Sequence, residues 1–400
     1  MVTAPWLSVP WLSVVGIGED GLDGLAAAAR ALVAGAELLA GGERHLAMVP
    51  PGAAERLVWQ SPFADNLPRL DALRGRKVCL LASGDPMWFG IGATLAGRYP
   101  AAEVTVAPHP GAFSLAAARL GWPLQDVRCL SIHGRPLEAL ARHLYPGARL
   151  LLLAADGGSP ARLAAWLAGK GFGASRLTVL ERLGGPAERI TAGAGQAVDD
   201  LNTIAVELAA DPGTTPLPAV PGLPDDAFRH DGQMTKREVR AVTLASLAPW
   251  PGARLWDIGA GCGSIAIEWA RAGGRAVAVE RHPARADLIA RNALELGVPE
   301  LTVVTGAAPD ALDGLGQAPD AIFLGGDLER LLDPCWARLK AGGRLVANAV
   351  TAEGEAALLA WQTANGGTLS RLAVSRLAAT GRFHTWHPLM PVTHYQGCKP

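Results

Sequence analysis

Cysteine is scarce in this sequence of 400 residues, with five scattered copies at Cys79, Cys129, Cys262, Cys335 and Cys398. No two of them form a C-x-x-C pair. The spacing therefore indicates neither a disulfide framework nor a zinc-binding motif. We expect no metal site in this chain.

Long hydrophobic runs and an excess of charge of one sign are also missing. No stretch approaches the roughly 18 to 20 apolar residues of a membrane-spanning helix, and the first residues lack the features of a signal peptide. The 36 Lys and Arg residues nearly balance the 37 Asp and Glu residues, so net charge favours neither nucleic acid nor anionic membranes as partners. The sequence predicts a cytoplasmic protein that binds neither.

The chain does have the length and pattern of two α/β domains. Four hundred residues exceed what one ordinary domain needs, and both halves alternate short apolar runs with Ala-rich segments of helical length. Between them lies a stretch whose prolines disfavour both helix and sheet. We predict a first domain over residues 1–210, a linker over 211–226 and a second domain over 227–400.

The clearest candidate binding site lies in the second half, where the sequence predicts a strand, a glycine turn and a helix in that order. The apolar run at 254–258 is followed by three alternate glycines, and the next strand ends in an acid about 20 residues later, where a carboxylate can accept ribose hydroxyls. The residues of this motif are Asp257, Gly259, Ala260, Gly261, Cys262, Gly263 and Glu280. A dinucleotide fingerprint would need a glycine at Ser264.

This G-x-G-x-G pattern after an acid resembles motif I of class I methyltransferases, with a purely structural turn as the alternative. The resemblance implies S-adenosylmethionine as cofactor, an adenine contact at Ala308 and a substrate-facing position for Asp327. It also implies a Rossmann-like fold with a seven-stranded mixed sheet. The segments at 369–376 and 385–397 are predicted as its last two strands.

Upstream of motif I, Thr235 and Glu238 match a T-x-x-E capping box and predict the start of a helix. This segment, together with GAAPDAL and NAVTAEGEA, resembles the CbiT-type corrin methyltransferases. In that family the matching threonine touches the methyl donor. A capping role alone is the alternative for Thr235.

The first half carries an ordered series of glycine motifs, each of them an ordinary turn when taken alone. As a series they resemble the class III tetrapyrrole methylases (CbiE-like), which implies two α/β lobes that hold the donor in a cleft. The donor-binding residues implied by this resemblance are Gly16, Gly18, Gly84, Asp85, Pro86, Gly90 and Ser114. One departure stands out, because Glu19-Asp20 replaces the Gly-Pro that this family usually has.

A tetrapyrrole methylase half joined to a CbiT-like half resembles the decarboxylating precorrin-6Y C(5,15)-methyltransferases. That resemblance implies methylation of precorrin-6B at meso carbons 5 and 15 with loss of the ring C acetate carboxyl, giving precorrin-8X in cobalamin biosynthesis. It implies one S-adenosylmethionine per domain, carbon 5 for the first domain, and carbon 15 with decarboxylation for the second. It further implies a homo-oligomer, with a tetramer formed through the second domain.

The substrate's carboxylates need cationic partners, and decarboxylation needs proton transfer. Arg135, Lys236, Arg237 and Arg240 are the basic candidates, with a solvated surface charge as the alternative for each. His230 and Asp327 are the candidate catalytic residues, with Asp231 beside them, and a structural role is the alternative.

Two other functions stay open at this stage. An RNA methyltransferase is disfavoured by the balanced charge and by the absence of an Asn-Pro-Pro-Tyr type motif at 325–327. A donor-binding module that only assists its partner is disfavoured because both halves keep donor-site glycines and acids.

Overall fold

The computed structural model describes residues 10–60, 62–194 and 197–400. They divide into two compact units. The first contains the chain up to Arg135 together with Tyr145–Thr214, and the second contains Pro136–Leu144 together with Thr215–Pro400. Each unit has its own sheets and its own buried clusters.

The first unit begins with a parallel α/β lobe. Its elements are β1 (Leu12–Ile17), α1 (Ala27–Ala34), β2 (Leu38–Gly41), α2 (Glu43–Ala47), β3 (Glu55–Val58), α3 (Leu67–Asp71), β4 (Val78–Ser83), α4 (Ile91–Ala96) and β5 (Val104–Ala107). The strands lie in the order β3-β2-β4-β1-β5 and pair in parallel. Because parallel strands end at one edge of a sheet, the glycine loops after β1 and β4 meet there.

A second lobe completes this unit. Its elements are α5 (Ala112–Leu120), β6 (Val127–Ser131), β7 (Arg149–Leu153), α6 (Ser159–Gly169), β8 (Arg176–Glu181), β9 (Arg189–Ala192) and β10 (Asn202–Glu207). The strand order is β6-β7-β10-β8-β9, in which β6 and β7 are parallel and the other pairs are antiparallel. The two-lobed organisation implied by the class III resemblance is confirmed.

The second unit is built around one large sheet. Its elements are α7 (Arg237–Leu247), β11 (Arg254–Ile258), α8 (Ser264–Arg271), β12 (Arg275–Glu280), α9 (Pro283–Glu295), β13 (Thr302–Thr305), β14 (Ala321–Leu324), α10 (Leu328–Arg338), β15 (Arg344–Ala349), α11 (Ala352–Asn365), β16 (Thr368–Leu372), β17 (Ser375–Thr380), β18 (Phe383–Pro388) and β19 (Val392–Cys398). The order β13-β12-β11-β14-β15-β19-β16, with β19 antiparallel to β15 and β16, confirms the predicted seven-stranded mixed sheet.

Both faces of this sheet are covered by buried side chains. Leu255 belongs to one hydrophobic cluster, whereas Trp256 and Ile258 belong to another, because successive side chains of a strand point to opposite faces. Burial on both faces explains the almost continuous apolar run of β11. It also leaves the carboxyl of Asp257 inside an apolar layer, where the residue is 1% exposed.

The predicted last strands are wrong in their limits. The segment 369–376 breaks between β16 and β17, and 385–397 breaks between β18 and β19. β17 and β18 pair with each other as a separate hairpin outside the large sheet. Pro388 and Pro391 flank the second break, where a missing N–H donor interrupts ladder pairing.

The predicted capping box is also wrong. α7 begins at Arg237 with Lys236 as its N-cap, and no side chain makes a capping hydrogen bond there. Glu238 instead accepts a hydrogen bond from Arg376 Nη2 on β17, at 2.6 Å. The carboxylate of Glu238 therefore binds the guanidinium of Arg376, whereas the capping-box motif predicted that it would bind the backbone at the start of α7.

The end of the Pro-rich stretch belongs to the core of the second unit. The backbone amides of Gly222 and Leu223 donate to the carboxylate of Glu268 on α8, at 2.6 and 3.0 Å. Leu223 is 1% exposed. This part of residues 211–226 therefore differs from the extended linker that its prolines predict.

Candidate functional site

The loop from β11 to α8 carries the glycines of the candidate donor site in the second unit. Gly259, Gly261 and Gly263 have φ angles of +74°, +60° and +80°, a region that residues with a Cβ atom rarely adopt. At Gly263 a Cβ atom would also lie 2.7 Å from Ile289 Cγ2. The alternate spacing of the glycines is therefore a requirement of the backbone.

Asp257 places an incompletely hydrogen-bonded carboxyl directly below this loop. Its Oδ2 accepts a hydrogen bond from the Ala266 amide at 3.0 Å, whereas Oδ1 has no partner among the described residues. Burial, with a smaller contribution from the charge of Glu280 and against the opposing effect of the Ala266 hydrogen bond, raises the pKa of Asp257 to about 7. A buried acceptor without a partner fits a ligand that brings a hydrogen-bond donor or a positive charge.

Glu280 ends β12 beside the glycine loop, where the resemblance implies a ribose contact. The residue is 4% exposed. Its Oε2 accepts from the Gly261 amide at 2.9 Å, and its Oε1 accepts from the His282 amide at 3.0 Å. Both carboxylate oxygens are thus fixed in place, and each keeps acceptor capacity for a ribose hydroxyl.

Asn292 on α9 belongs to this site and was missed by sequence reasoning. Its Nδ2 donates to the carbonyl oxygens of Cys262 and Arg229, at 2.9 Å each, and its Oδ1 accepts from the Arg229 amide at 2.9 Å. The side chain therefore ties the segment before α7 to the glycine loop. No local motif marks Asn292, because its partners lie 30 and 63 residues away.

His230 and Asp231 lie in that exposed segment. His230 Nδ1 accepts a hydrogen bond from the Gly232 amide at 3.0 Å. Asp231 accepts from the Gln233 amide at 3.1 Å and forms an ion pair with Arg285 at 2.7 Å, and these contacts lower the pKa of Asp231. Asp231 is therefore ionised and a poor proton donor.

Ala308 and Asp327 follow β13 and β14, at the sheet edge where β12 ends in Glu280. Ala308 packs against the buried cluster on one face of the sheet. Asp327 has a φ angle of +51° and lies 3.3 Å from Arg330 through its Oδ2. The fold thus brings both residues to the edge where open α/β sheets bind ligands.

One basic candidate is excluded by its surroundings. Arg240 is 0% exposed, and its Nε lies 2.5 Å from Glu268 Oε1. Its guanidinium also covers the Phe228 ring at 4.8 Å. The prediction that Arg240 binds a substrate carboxylate is wrong, because a buried ion pair already holds its charge. Lys236 is half-buried and Arg237 is exposed, so both can reach solvent.

In the first unit, the loops after β1, β4 and β5 pack backbone against backbone. A Cβ atom on Gly16 would lie 1.9 Å from the Gly84 carbonyl oxygen and 2.8 Å from the His109 amide nitrogen. At Gly18 a Cβ atom would lie 2.6 Å from Asp20 Oδ1. These glycines permit loop packing that no larger residue allows.

The loop after β4 is held by its own residues. Asp85 Oδ1 accepts a hydrogen bond from the Met87 amide at 2.9 Å, and a Cβ atom on Gly90 would lie 2.6 Å from the Pro86 carbonyl oxygen. Ser114 is exposed on the first turn of α5. The fold therefore places the predicted residues of the first site in connected loops around one edge of the parallel sheet.

Glu19, where the family usually has a glycine, links the two lobes of this unit. Its carboxylate pairs with Arg44 of the first lobe and, at 3.1 Å, with Arg182 of the second. Arg182 also pairs with Asp199 at 2.8 Å. Sequence reasoning flagged this departure but could not identify partners 25 and 163 residues away.

An exposed apolar surface follows the Gly84-Asp85-Pro86 turn. Met87, Trp88 and Phe89 are all exposed, and the guanidinium of Arg135 lies 4.9 Å from the centre of the Phe89 ring. Flat apolar groups beside a cation suit a ligand that has both a conjugated face and carboxylates.

The described residues contain no group of three or more His, Cys, Asp and Glu side chains arranged to hold a metal ion. Within the same residues, no helix combines the length and apolar character that crossing a membrane requires. S-adenosylmethionine fits the second unit, where the positive-φ glycines, the buried Asp257 and Glu280 converge.

Comparison with known proteins gives one consistent result. Residues 12–199 match the family model of tetrapyrrole (corrin/porphyrin) methylases, and residues 226–399 match that of a precorrin methyltransferase domain. A precorrin-6Y C(5,15)-methyltransferase [decarboxylating] from Sinorhizobium sp is 49% identical over 99% of this chain and 98% of its own length.

Two further matches cover about half of the chain. A cobalt-precorrin-7 C(5)-methyltransferase from Salmonella typhimurium is 32% identical over 45% of this chain and 88% of its own length. The crystal structure of the C-terminal domain of a precorrin-6Y C5,15-methyltransferase from Rhodobacter capsulatus is 42% identical, with a TM-score of 0.44, over 46% of this chain and all of that chain. Two methyltransferase family models match the chain, and the Sinorhizobium relative is 49% identical over nearly its full length. The chain therefore belongs to the family of decarboxylating precorrin-6Y C(5,15)-methyltransferases.

Proposed function

We propose that this enzyme methylates precorrin-6B at meso carbons 5 and 15 and removes the carboxyl of the ring C acetate, giving precorrin-8X in cobalamin biosynthesis. One observation carries the proposal: each of the two compact units has its own glycine-lined loops at the carboxyl edge of parallel strands. Family membership supplies the substrate class.

We assign carbon 5 to the first unit, and carbon 15 with decarboxylation to the second. A relative named for carbon 5 alone aligns with 45% of this chain, which supports two separable activities. Each unit holds one S-adenosylmethionine in this proposal. The first domain then comprises residues 1–210 and the second 227–400, with the end of the 211–226 stretch packed onto the second domain's α8.

Bound S-adenosylmethionine supplies an electrophilic methyl group, so the protein's main task is alignment. Glu280 orients the ribose of the donor, and Asp257 accepts a hydrogen bond or pairs with a positive charge below the glycine loop. The proposed contacts with the donor in the second unit are Thr235, Asp257, Gly259, Ala260, Gly261, Cys262, Gly263, Glu280 and Ala308. Those in the first unit are Gly16, Gly18, Gly84, Asp85, Pro86, Gly90 and Ser114.

The decarboxylating half also needs proton transfer. We assign this role to His230 and Asp327, which both lie in exposed positions near the second glycine loop or on its sheet edge. Lys236 and Arg237 follow His230 in the chain and remain accessible for substrate carboxylates.

The test is turnover of precorrin-6B by the full chain, with products followed by mass and by carbon dioxide release. The wild-type enzyme should add two methyl groups and release one carbon dioxide. E280Q should reduce methylation at carbon 15 and carbon dioxide release, yet leave methylation at carbon 5. Equal loss of both methylations in E280Q would contradict the division of labour.

We further propose that the hairpin β17–β18 mediates self-association of this chain into a homo-oligomer, namely a tetramer. Leu377, Phe383 and Trp386 are 54%, 62% and 68% exposed, and an isolated two-stranded hairpin is marginally stable in water. Leu377 and Trp386 pair with each other and share one face of the hairpin, and a second copy packed on this face would cover them.

The oligomeric state of W386K tests this proposal, measured by light scattering after size-exclusion chromatography. W386K should lower the mass relative to the wild type. W250K, which changes another exposed tryptophan of the same unit, should leave the mass unchanged. An unaltered mass for W386K would exclude the hairpin as the contact.

A further inference from the structure

A cluster of polar side chains in the first unit has no role in the function described above. His45 lies on α2, directly after β2, and Ser83 is the last residue of β4. His45 Nε2 lies 2.8 Å from Ser83 Oγ. Ser83 is exposed and immediately precedes the Gly84-Asp85-Pro86 turn of the candidate donor site, so its hydroxyl lies where a bound substrate can reach it.

Arg44 fixes which atoms donate within this cluster. Its Nη2 lies 2.9 Å from Ser83 Oγ and 2.9 Å from His45 Nε2, and its Nη1 pairs with Glu19. A guanidinium only donates, so His45 Nε2 must be the accepting nitrogen of a neutral ring. Ser83 accepts from Arg44. Because His45 Nε2 has a single lone pair, Ser83 donates its own proton to that nitrogen only when the neighbouring Arg44 N–H turns away from it.

The electrostatics keep His45 unprotonated. Burial, together with the smaller effect of the positive charge of Arg44, lowers the pKa of His45 to about 4. His45 Nδ1 has no hydrogen-bond partner among the described residues. At neutral pH the ring is therefore uncharged, and its low pKa restricts it to strongly acidic protons, such as those of a cationic intermediate.

Other ionisable groups near this edge are already engaged. His109 Nε2 lies 3.5 Å from Asp20 Oδ2, Asp85 accepts from a backbone amide of its own loop, and Glu19 is held by two arginines. The pair formed by His45 and Ser83 differs from these, because it joins a neutral ring nitrogen to an exposed hydroxyl.

Methylation at a meso carbon creates the acidic proton that such a pair would take. A bond forms between the meso carbon and the methyl carbon, the sulfur–methyl bond breaks, and the sulfur keeps that electron pair. The macrocycle then carries one added positive charge, and the meso carbon still carries its hydrogen. Loss of this proton returns the C–H electron pair to the conjugated system.

We propose that Ser83 and His45 form the proton acceptor of the first active site. Ser83 Oγ takes the proton from the methylated meso carbon as it passes its own to His45 Nε2, and the imidazolium then releases a proton to water. This inference rests on the proposed function, because it requires the first unit to methylate a meso carbon.

Single-turnover kinetics of the full-length H45Q enzyme test this role, with precorrin-6B carrying hydrogen or deuterium at carbon 5. In the wild type, the demethylated donor and the carbon 5 product should form together, with no primary isotope effect. In H45Q, the demethylated donor should form at nearly the wild-type rate. The methylated product should then appear about 100-fold more slowly, with a primary isotope effect.

S83A should show the same separation of the two steps. S175A is the matched control, because Ser175 Oγ bonds the Ala209 backbone amide of the same unit at 3.0 Å and has no part in the pair. All variants should bind two donors per chain and keep carbon dioxide release. If H45Q does not fold, S83A carries the test, because its side chain is exposed.

Two results would overturn the inference alone. One is unchanged product formation in H45Q or S83A. The other is an equal slowing of both steps without an isotope effect, which indicates a structural role. Absence of carbon 5 methylation in the wild-type enzyme would overturn the proposed function together with the inference, so the two failures are distinguishable.

Discussion

The two candidate donor sites hold their glycine loops in place by different physical means. In the second unit, a loop with three glycines of positive φ angle follows the buried Asp257 and is hydrogen-bonded to the buried Glu280. In the first unit, Gly16 and Gly84 allow loops to pack backbone against backbone, and the nearby charges pair with one another. The second site is therefore specified by charge and backbone conformation, and the first by close packing.

The largest expected effect comes from breaking the close packing. In G16A the new Cβ atom would meet the Gly84 carbonyl oxygen at 1.9 Å, so the loops must move apart. We expect the first unit to lose about 3 kcal/mol of stability and its donor binding, whereas the second unit continues to release carbon dioxide. Calorimetric unfolding and donor titration measure both effects.

G52A is the matched control, because a Cβ atom at Gly52 would meet nothing within 4 Å. Its stability should stay within about 0.5 kcal/mol of the wild type. If G16A resembled G52A, close packing would not define the first site.

The next largest effect is expected on donor affinity, when a charge is removed from the second site. E280Q removes the negative charge that accepts from the Gly261 amide and that we propose orients the ribose. The donor dissociation constant of the second site should rise about 10- to 100-fold, and that of the first site should not change. E353Q, on an exposed residue of α11, is the control, and a comparable rise in E353Q would argue against a specific contact.

Asp257 gives the second unit a pH dependence of stability opposite in sign to that of His45 in the first unit, whose pKa is lowered by burial. Its folded-state pKa is raised from 3.8 to about 7, so its contribution to stability is present at low pH and is lost as pH rises through that value. The wild type should therefore lose more stability between pH 5 and pH 8 than D257N does. Equal losses in the two proteins, measured by thermal unfolding, would contradict the raised pKa, and D333N on exposed α10 serves as control.

The smallest effect concerns the link between lobes. E19Q weakens the pairs with Arg44 and Arg182, whose side chains are 35% and 37% exposed. Because solvent screens such pairs, we expect a loss of at most about 1 kcal/mol in the first unit. E55Q, in an exposed pair with Arg76, should change stability less. A larger loss in E55Q would argue that Glu19 does not link the lobes.

Much of the fold and the second site could be predicted because their signals are local. Asp257, the alternate glycines and Glu280 are separated by short distances along the chain, and each position reflects a backbone or strand-end requirement. The order of strands and helices follows in the same way from hydrophobic pattern.

What the sequence could not reveal depends on contacts between distant residues. Asn292, the burial of Arg240 and the partners of Glu19 each require knowing which segments meet in space. The separate hairpin was missed because alternating polar and apolar residues predict a strand but not the sheet that it joins. Arg376, from that hairpin, likewise replaced the predicted capping contact of Glu238.

Donor-binding stoichiometry tests the central claim of two differently built sites most directly. Calorimetric titration of the full chain with S-adenosylmethionine should give two donors per chain, and E280Q should weaken one of them and leave the other unchanged. A single donor per wild-type chain, or equal weakening of two sites in E280Q, would contradict the account.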